Sequence, residues 1–110
     1  MSKKLILRGL GVSSGMAKGR VCLIGARKDY AKLREGDILV TKITDPGMTI
    51  IINQAAGIIC DIGGMTSHPA IISRELGIPA VVAAKTATTT LYDGMLLEID
   101  GSSGEIFLIE

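Results

Sequence analysis

Apolar positions in this 110-residue chain come in short runs, each ended by glycine, proline or a polar pair. The run "RVCLIG" predicts a strand over 20–24, preceded by glycine-rich turns at Gly9, Gly11, Gly15 and Gly19. "DILVTKI", introduced by a Glu-Gly-Asp turn, predicts a second strand. "TDPGMTIIINQAAG" reads as a helix over about 46–55: Thr44 or Asp45 can cap it, Pro46 suits its first turn and Gly57 its stop. The consecutive Ile50, Ile51 and Ile52 oppose that reading, because β-branched side chains favour strands. "GIICD" then reads as a buried strand ending at a Gly-Gly pair, "HPAIISRELG" as a helix stopped by Gly77, and "IPAVVAA" as a strand. "GMLLEID" and "GEIFLIE" flank "DGSSG", which predicts a closing β-hairpin.

Strand, helix and strand from "GIICD" to "PAVVA" form a βαβ-like unit, whereas both ends of the chain look antiparallel. The expected fold class is therefore mixed α/β: a sheet or β-sandwich core flanked by two or three short helices. At this length it forms a single domain over 1–110. Composition supports the picture, since 14 glycines, few aromatics and many aliphatics suit short strands joined by tight turns. A chain of this size buries roughly 65% of its unfolded surface, so it needs neither metal nor disulfide to fold.

Charge and hydropathy narrow the function. A net charge of +1 gives no electrostatic reason to bind nucleic acid or an anionic membrane. The most apolar stretch, "MTIIINQAAGIIC", is interrupted by Asn53, Gln54 and Gly57 and is not a membrane span. The apolar part of the N-terminus is too short for a signal peptide. Cys22 and Cys60 lack metal-type spacing and sit in apolar runs, as buried free thiols do. A soluble protein of a reducing compartment, the cytoplasm, is expected.

The remaining chemistry gathers at the single histidine, His68, in "GGMTSHPAIISRELGIP". A strand, a Gly-Gly loop and a helix start place unpaired backbone N–H groups and partial positive charge at one point, which is an anion site. Gly63 and Gly64 let the loop take conformations closed to other residues. Thr66 and Ser67 bring hydroxyls that can cap the helix or bond a phosphate oxygen. A positive helix end favours a neutral, nucleophilic imidazole, and the same end would hold a phosphoryl group once attached. Pro69 removes one amide, so backbone contacts to that group fall to Ala70, Ile71 or the glycine loop. On these residues alone, an ordinary solvated or capping histidine is the reading to prefer.

The whole string changes this. "GGMTSHPAIISRELGIPAVV" strongly resembles the phosphohistidine segment of the phosphoenolpyruvate-utilising enzymes, which include phosphoenolpyruvate synthase, pyruvate phosphate dikinase and Enzyme I of the sugar phosphotransferase system. The matching positions are Gly63, Gly64, Thr66, His68, Ala70, Ile71, Ile72 and Arg74, followed by 75–81. "GLGVSSGMAKGRV", "LREGDILVTKITDP" and "DGMLLEIDGSSGEIFL" resemble other parts of the same domain, so the likeness runs over nearly the whole chain. Pro69 departs from it, since relatives usually carry a small residue there.

The resemblance implies a swivelling β/β/α phosphohistidine domain with His68 as the phosphorylated residue. It implies phosphate support from Gly63, Gly64, Thr66, Ser67, Ala70 and Ile71; Thr49 either corresponds to a hydroxyl that lies near the imidazole in some relatives or is a helix-surface residue. Arg74 is a candidate for partner docking or phosphate contact, or for a structural role near the helix C-terminus. In relatives this domain moves between a donor-binding and an acceptor-binding domain. The chain has no P-loop pattern, no room for a (β/α)₈ barrel, and Asp45, Asp61, Asp93 and Asp100 lie scattered among turns. The expectation is a stand-alone carrier, favoured over an excised domain by the Met1 start. It binds no metal or cofactor, and Mg²⁺ belongs to partner sites that bind nucleotide or phosphoenolpyruvate/pyruvate. The alternative is a binding or regulatory domain that keeps the fold without phosphotransfer.

Overall fold

The computed structural model describes residues 2–110. Eight strands form one continuously bonded sheet: β1 (Lys3–Arg8), β2 (Leu10–Ser13), β3 (Met16–Leu23), β4 (Ile38–Thr41), β5 (Gly57–Cys60), β6 (Ala80–Val82), β7 (Leu96–Asp100) and β8 (Glu105–Ile109), in the order β1-β8-β7-β3-β4-β5-β6-β2. Strands β3 to β6 are parallel, and the remaining pairs (β1–β8, β7–β8, β3–β7, β2–β6) are antiparallel. The helices are α1 (Thr49–Ile52), α2 (His68–Leu76) and α3 (Ala87–Thr90), with 3-10 turns at Arg27–Lys32 and Pro46–Met48. The mixed α/β class and the β5–α2–β6 parallel unit match the pattern read from the sequence.

The short unbroken apolar runs follow from burial on both faces. Along the parallel strands, Leu39, Ile58, Cys60, Ala80 and Val82 point to one side. There they meet Met48, Ile51, Ile52, Ala55 and Ala70 from the α1 and α2 region. Ile38, Val40, Ile59 and Val81 point to the other side, against Ala87 and Leu91 from the α3 region and against Ala17, Leu97, Ile99 and Ile106. The antiparallel half thus folds over the parallel half and closes a second core. The Ser102–Gly104 turn region fastens it: Gly101 N donates to Gly15 O and Gly9 N to Gly104 O, both at 2.8 Å. A Cβ at Gly101 would run into Ser13 O, so the two backbones touch there.

Two local expectations change. Gly9 and Gly15 are at turns, but Gly11 and Gly19 lie inside β2 and β3. A side chain at Gly11 would strike the Gly101–Ser102 backbone, and one at Gly19 would strike Gly36 O, so these glycines serve close packing. The helix expected over 46–55 is shorter, a 3-10 turn running into α1, with Asp45 Oδ1 accepting from Gly47 N at 2.7 Å as its cap. Burial of Ile51 and Ile52 against the sheet outweighs their strand preference.

Candidate functional site

His68 is the first residue of α2, and Ser67 is its N-cap with extended backbone. The helix is anchored from below: Ala70 and Ser73 are fully buried, and Gly77 in the left-handed region (φ 70°) ends it, with Ile78 N bonding Ser73 O at 2.9 Å. The other end of the segment is fixed by β5. Asp61 N donates to Thr41 O and Ile62 N to Lys42 O, so the strand pairing continues to the threshold of the glycine loop. The Asp61 carboxylate accepts from Thr88 N at 3.1 Å and from the Thr88 hydroxyl, tying the loop entrance to α3.

The half-buried imidazole meets one side chain: Thr44 Oγ1 lies 2.7 Å from His68 Nδ1. Thr44 follows β4 and is itself buried at 4% exposure, so its hydroxyl is held rather than free to rotate away. Beneath it, its backbone N–H points at the Cys60 sulfur, and burial pushes the Cys60 thiol up to about 12. Nδ1 is engaged, and Nε2 has no hydrogen-bond partner among the described residues.

Several residues singled out from the sequence have other tasks. Thr49 is not the hydroxyl at the ring: its Oγ1 donates to Pro46 O at 2.8 Å, and Thr44 occupies that place. The sequence had marked Thr44 only as a helix cap, because a separation of 24 positions from His68 hides a contact made by neighbouring parallel strands. Ile71 offers no amide to an anion, since Ile71 N donates to Ser67 O at 3.0 Å, leaving Ala70 N as a first-turn amide without a partner among the described residues. Ser67 does not cap the helix: its hydroxyl donates back to Gly64 O at 2.8 Å and tightens the loop. Thr66 is exposed at the loop tip.

Gly63 requires its glycine, with φ 140° and a would-be Cβ 2.9 Å from Ser67 Oγ. Gly64 has open space and no such backbone demand. Arg74 is exposed, and its guanidinium has backbone acceptors on its own domain. Its Nε donates to Val12 O at 2.8 Å and its terminal nitrogen to Met65 O, so it staples the loop to β2. No three His, Cys, Asp or Glu side chains converge to hold a metal among the described residues.

Residues 33–104 match the sequence profile of the family described as PEP-utilising enzyme, mobile domain. The chain belongs to this family. It is 51% identical to a probable phosphoenolpyruvate synthase of Archaeoglobus fulgidus over 94% of its own length and 14% of that protein's. It is 49% identical to the phosphoenolpyruvate synthase of Pyrococcus furiosus over 94% of its length and 13% of the other. The chain therefore spans about a seventh of the length of these relatives. Among solved structures, the mobile-domain fold recurs in an Enzyme I fragment at 32% identity and TM-score 0.62, covering 72% of this chain and 33% of that one. An aconitase X of Thermococcus kodakaraensis has the same fold at 21% identity and TM-score 0.62, covering all of both chains. No helix of this mobile domain, among the described residues, is long and apolar enough to cross a membrane.

Proposed function

We propose that this mobile domain is a phosphoryl carrier in which His68 Nε2 accepts the group and hands it on. The observation that carries the reading is the Thr44 Oγ1–His68 Nδ1 contact at the head of α2. An imidazole that attacks through Nε2 carries its proton on Nδ1, and in that tautomer Nδ1–H donates to the Thr44 oxygen. As the Nε2 lone pair forms the N–P bond, the donor's P–O bond breaks and its electron pair leaves on oxygen. Positive charge then grows on the ring, and the Thr44 oxygen stabilises it, as an acceptor behind a reacting histidine does. The unpartnered Ala70 amide and the positive end of α2 favour the anionic product.

Pro69 fits this arrangement. It is buried at the second helical position, where the chain geometry already suits proline. Donor and acceptor are an enol phosphate such as phosphoenolpyruvate, or a nucleotide phosphoanhydride, bound by a partner protein or domain. Mg²⁺ is assigned in this reading to those partner sites; among the described residues the Asp61 carboxylate is already engaged by Thr88. The compartment proposed is the cytoplasm, consistent with Cys22 and Cys60 buried and unpaired.

The test is incubation with phosphoenolpyruvate or ATP and a phosphoenolpyruvate synthase, reading intact mass beside a His68→Ala control. The reading predicts one acid-labile phosphoryl group on the wild type alone. Label on both proteins, or on neither across the donors, overturns it.

A further inference from the structure

A hollow of about 620 Å³ opens where β3 and β4 end. It follows from how the chain is connected. After β3 the chain turns towards one core, against which Tyr30 and Leu33 pack, while the α3 region puts Ala87 and Leu91 into the core on the opposite face. Connections that leave to opposite faces open a crevice beyond the carboxyl ends of parallel strands, which is where α/β sheets take ligands. Leu23, Ile24, Val40 and Ile43 give the hollow an aliphatic wall, and a second hollow of about 320 Å³ adjoins it across Ile24 and Ile43. A volume of this order is ordinary for a small-molecule site.

The charged groups of the larger hollow fall into two kinds. Both carboxylates are already satisfied: Asp93 accepts from Leu23 N at 2.7 Å and from Lys32 Nζ at 3.1 Å, and Asp29 accepts from Gly25 N and Ala26 N, each at 2.9 Å. The Leu23 amide holds the Asp93 carboxyl below its usual range, and the Gly25 and Ala26 amides do the same for Asp29. Neither needs a cation from a ligand to stay ionised. Lys42 in the larger hollow and Arg27 in the smaller one, by contrast, enter no ion pair among the described residues.

We infer that this crevice is a binding site for an organic anion, an apolar body bearing a carboxylate or a phosphate group. The body lies against Ile24 and Ile43, and the anionic head meets the Lys42 ammonium. None of the residues lining either hollow hydrogen-bonds His68 among the described residues, so the site stands whether or not His68 carries phosphate.

The probes share a hexyl-length body and differ in the head: hexanoate, hexyl phosphate, 1-hexanol and hexylamine. Each is titrated at neutral pH into the ¹⁵N-labelled chain, and amide shifts are followed over 23–25 and 40–43. At least one of the two anions should saturate there with a Kd of about 0.1–10 mM. Hexanol and hexylamine should bind at least about tenfold more weakly, and Lys42→Gln should weaken the preferred anion about tenfold. Lys18→Gln, an exposed cation of β3 outside the crevice, should leave its Kd within about twofold of wild type. The tighter of the two anions shows whether the site is built for a carboxylate or a phosphate. Lys42 is exposed, so its replacement does not threaten the fold, and circular dichroism checks this.

No saturable shift at these amides with either anion overturns the site. So does hexylamine or hexanol binding as tightly as the anions, or a Lys42→Gln variant that binds like wild type.

Discussion

Thr44 and His68 form a pair that only the folded chain creates. Replacing Thr44 with valine keeps the buried shape and removes the oxygen behind Nδ1. Under the proposed carrier role, loss of this one charge-assisted bond should lower the rate at which His68 gains a phosphoryl group roughly 10- to 100-fold, with the thermal midpoint little changed. Stopped-time mass measurements beside circular dichroism check both parts. Cys60, under Thr44, gives a prediction in pH. Its folded-state thiol is pushed from 9.0 up to about 12, chiefly by burial, so between those values the native state holds a proton that the unfolded state has lost. Stability is therefore full below about pH 9 and falls as pH rises towards 12, by at most about 1.4 kcal/mol per pH unit. Urea midpoints measured across that window should decline, and decline less in Cys60→Ala.

At the scale of elements, the β5–loop–α2 segment is held from three sides: Asp61 to α3, Ser67 to Gly64, and Arg74 to β2 and Met65. Arg74→Met keeps the length of the side chain and leaves the buried Val12 carbonyl without its donor. Denaturant titration should show a loss of about 1–3 kcal/mol. Loop amides 63–67 should exchange hydrogen faster. Much of this segment was legible in the sequence, because the Gly-Gly pair, the helix pattern and Gly77 are local signals. Arg74 was legible as a residue of interest, but its partners lie 62 and 9 positions away, so its task was not. The same holds for α3, whose "ATTT" has no helical propensity to announce it and whose Ala87 is drawn into the core by tertiary burial. Gly11 and Gly19 read as turns for a related reason: a glycine kept small by a distant backbone looks, in sequence, like one kept for its φ.

For the whole molecule, the antiparallel half closes over the parallel half, and the His68 ring stands at the head of α2. The closure depends on backbone contact at the hairpin turn, where Gly101 N meets Gly15 O. Gly101→Ala drives a methyl into Ser13 O and towards Ala80 N, so the fold should lose about 3 kcal/mol by denaturant titration.

The central claim, that His68 carries a phosphoryl group on Nε2, has an unusually direct readout because this is the chain's only histidine. Long-range ¹H–¹⁵N correlation on ¹⁵N-labelled protein reports one imidazole, before and after phosphorylation by a donor enzyme. The account predicts that Nδ1 carries the proton in the free domain and that ¹⁵N–³¹P coupling then appears at Nε2. An unphosphorylated ring after exposure to competent donors, or coupling at Nδ1, would contradict it.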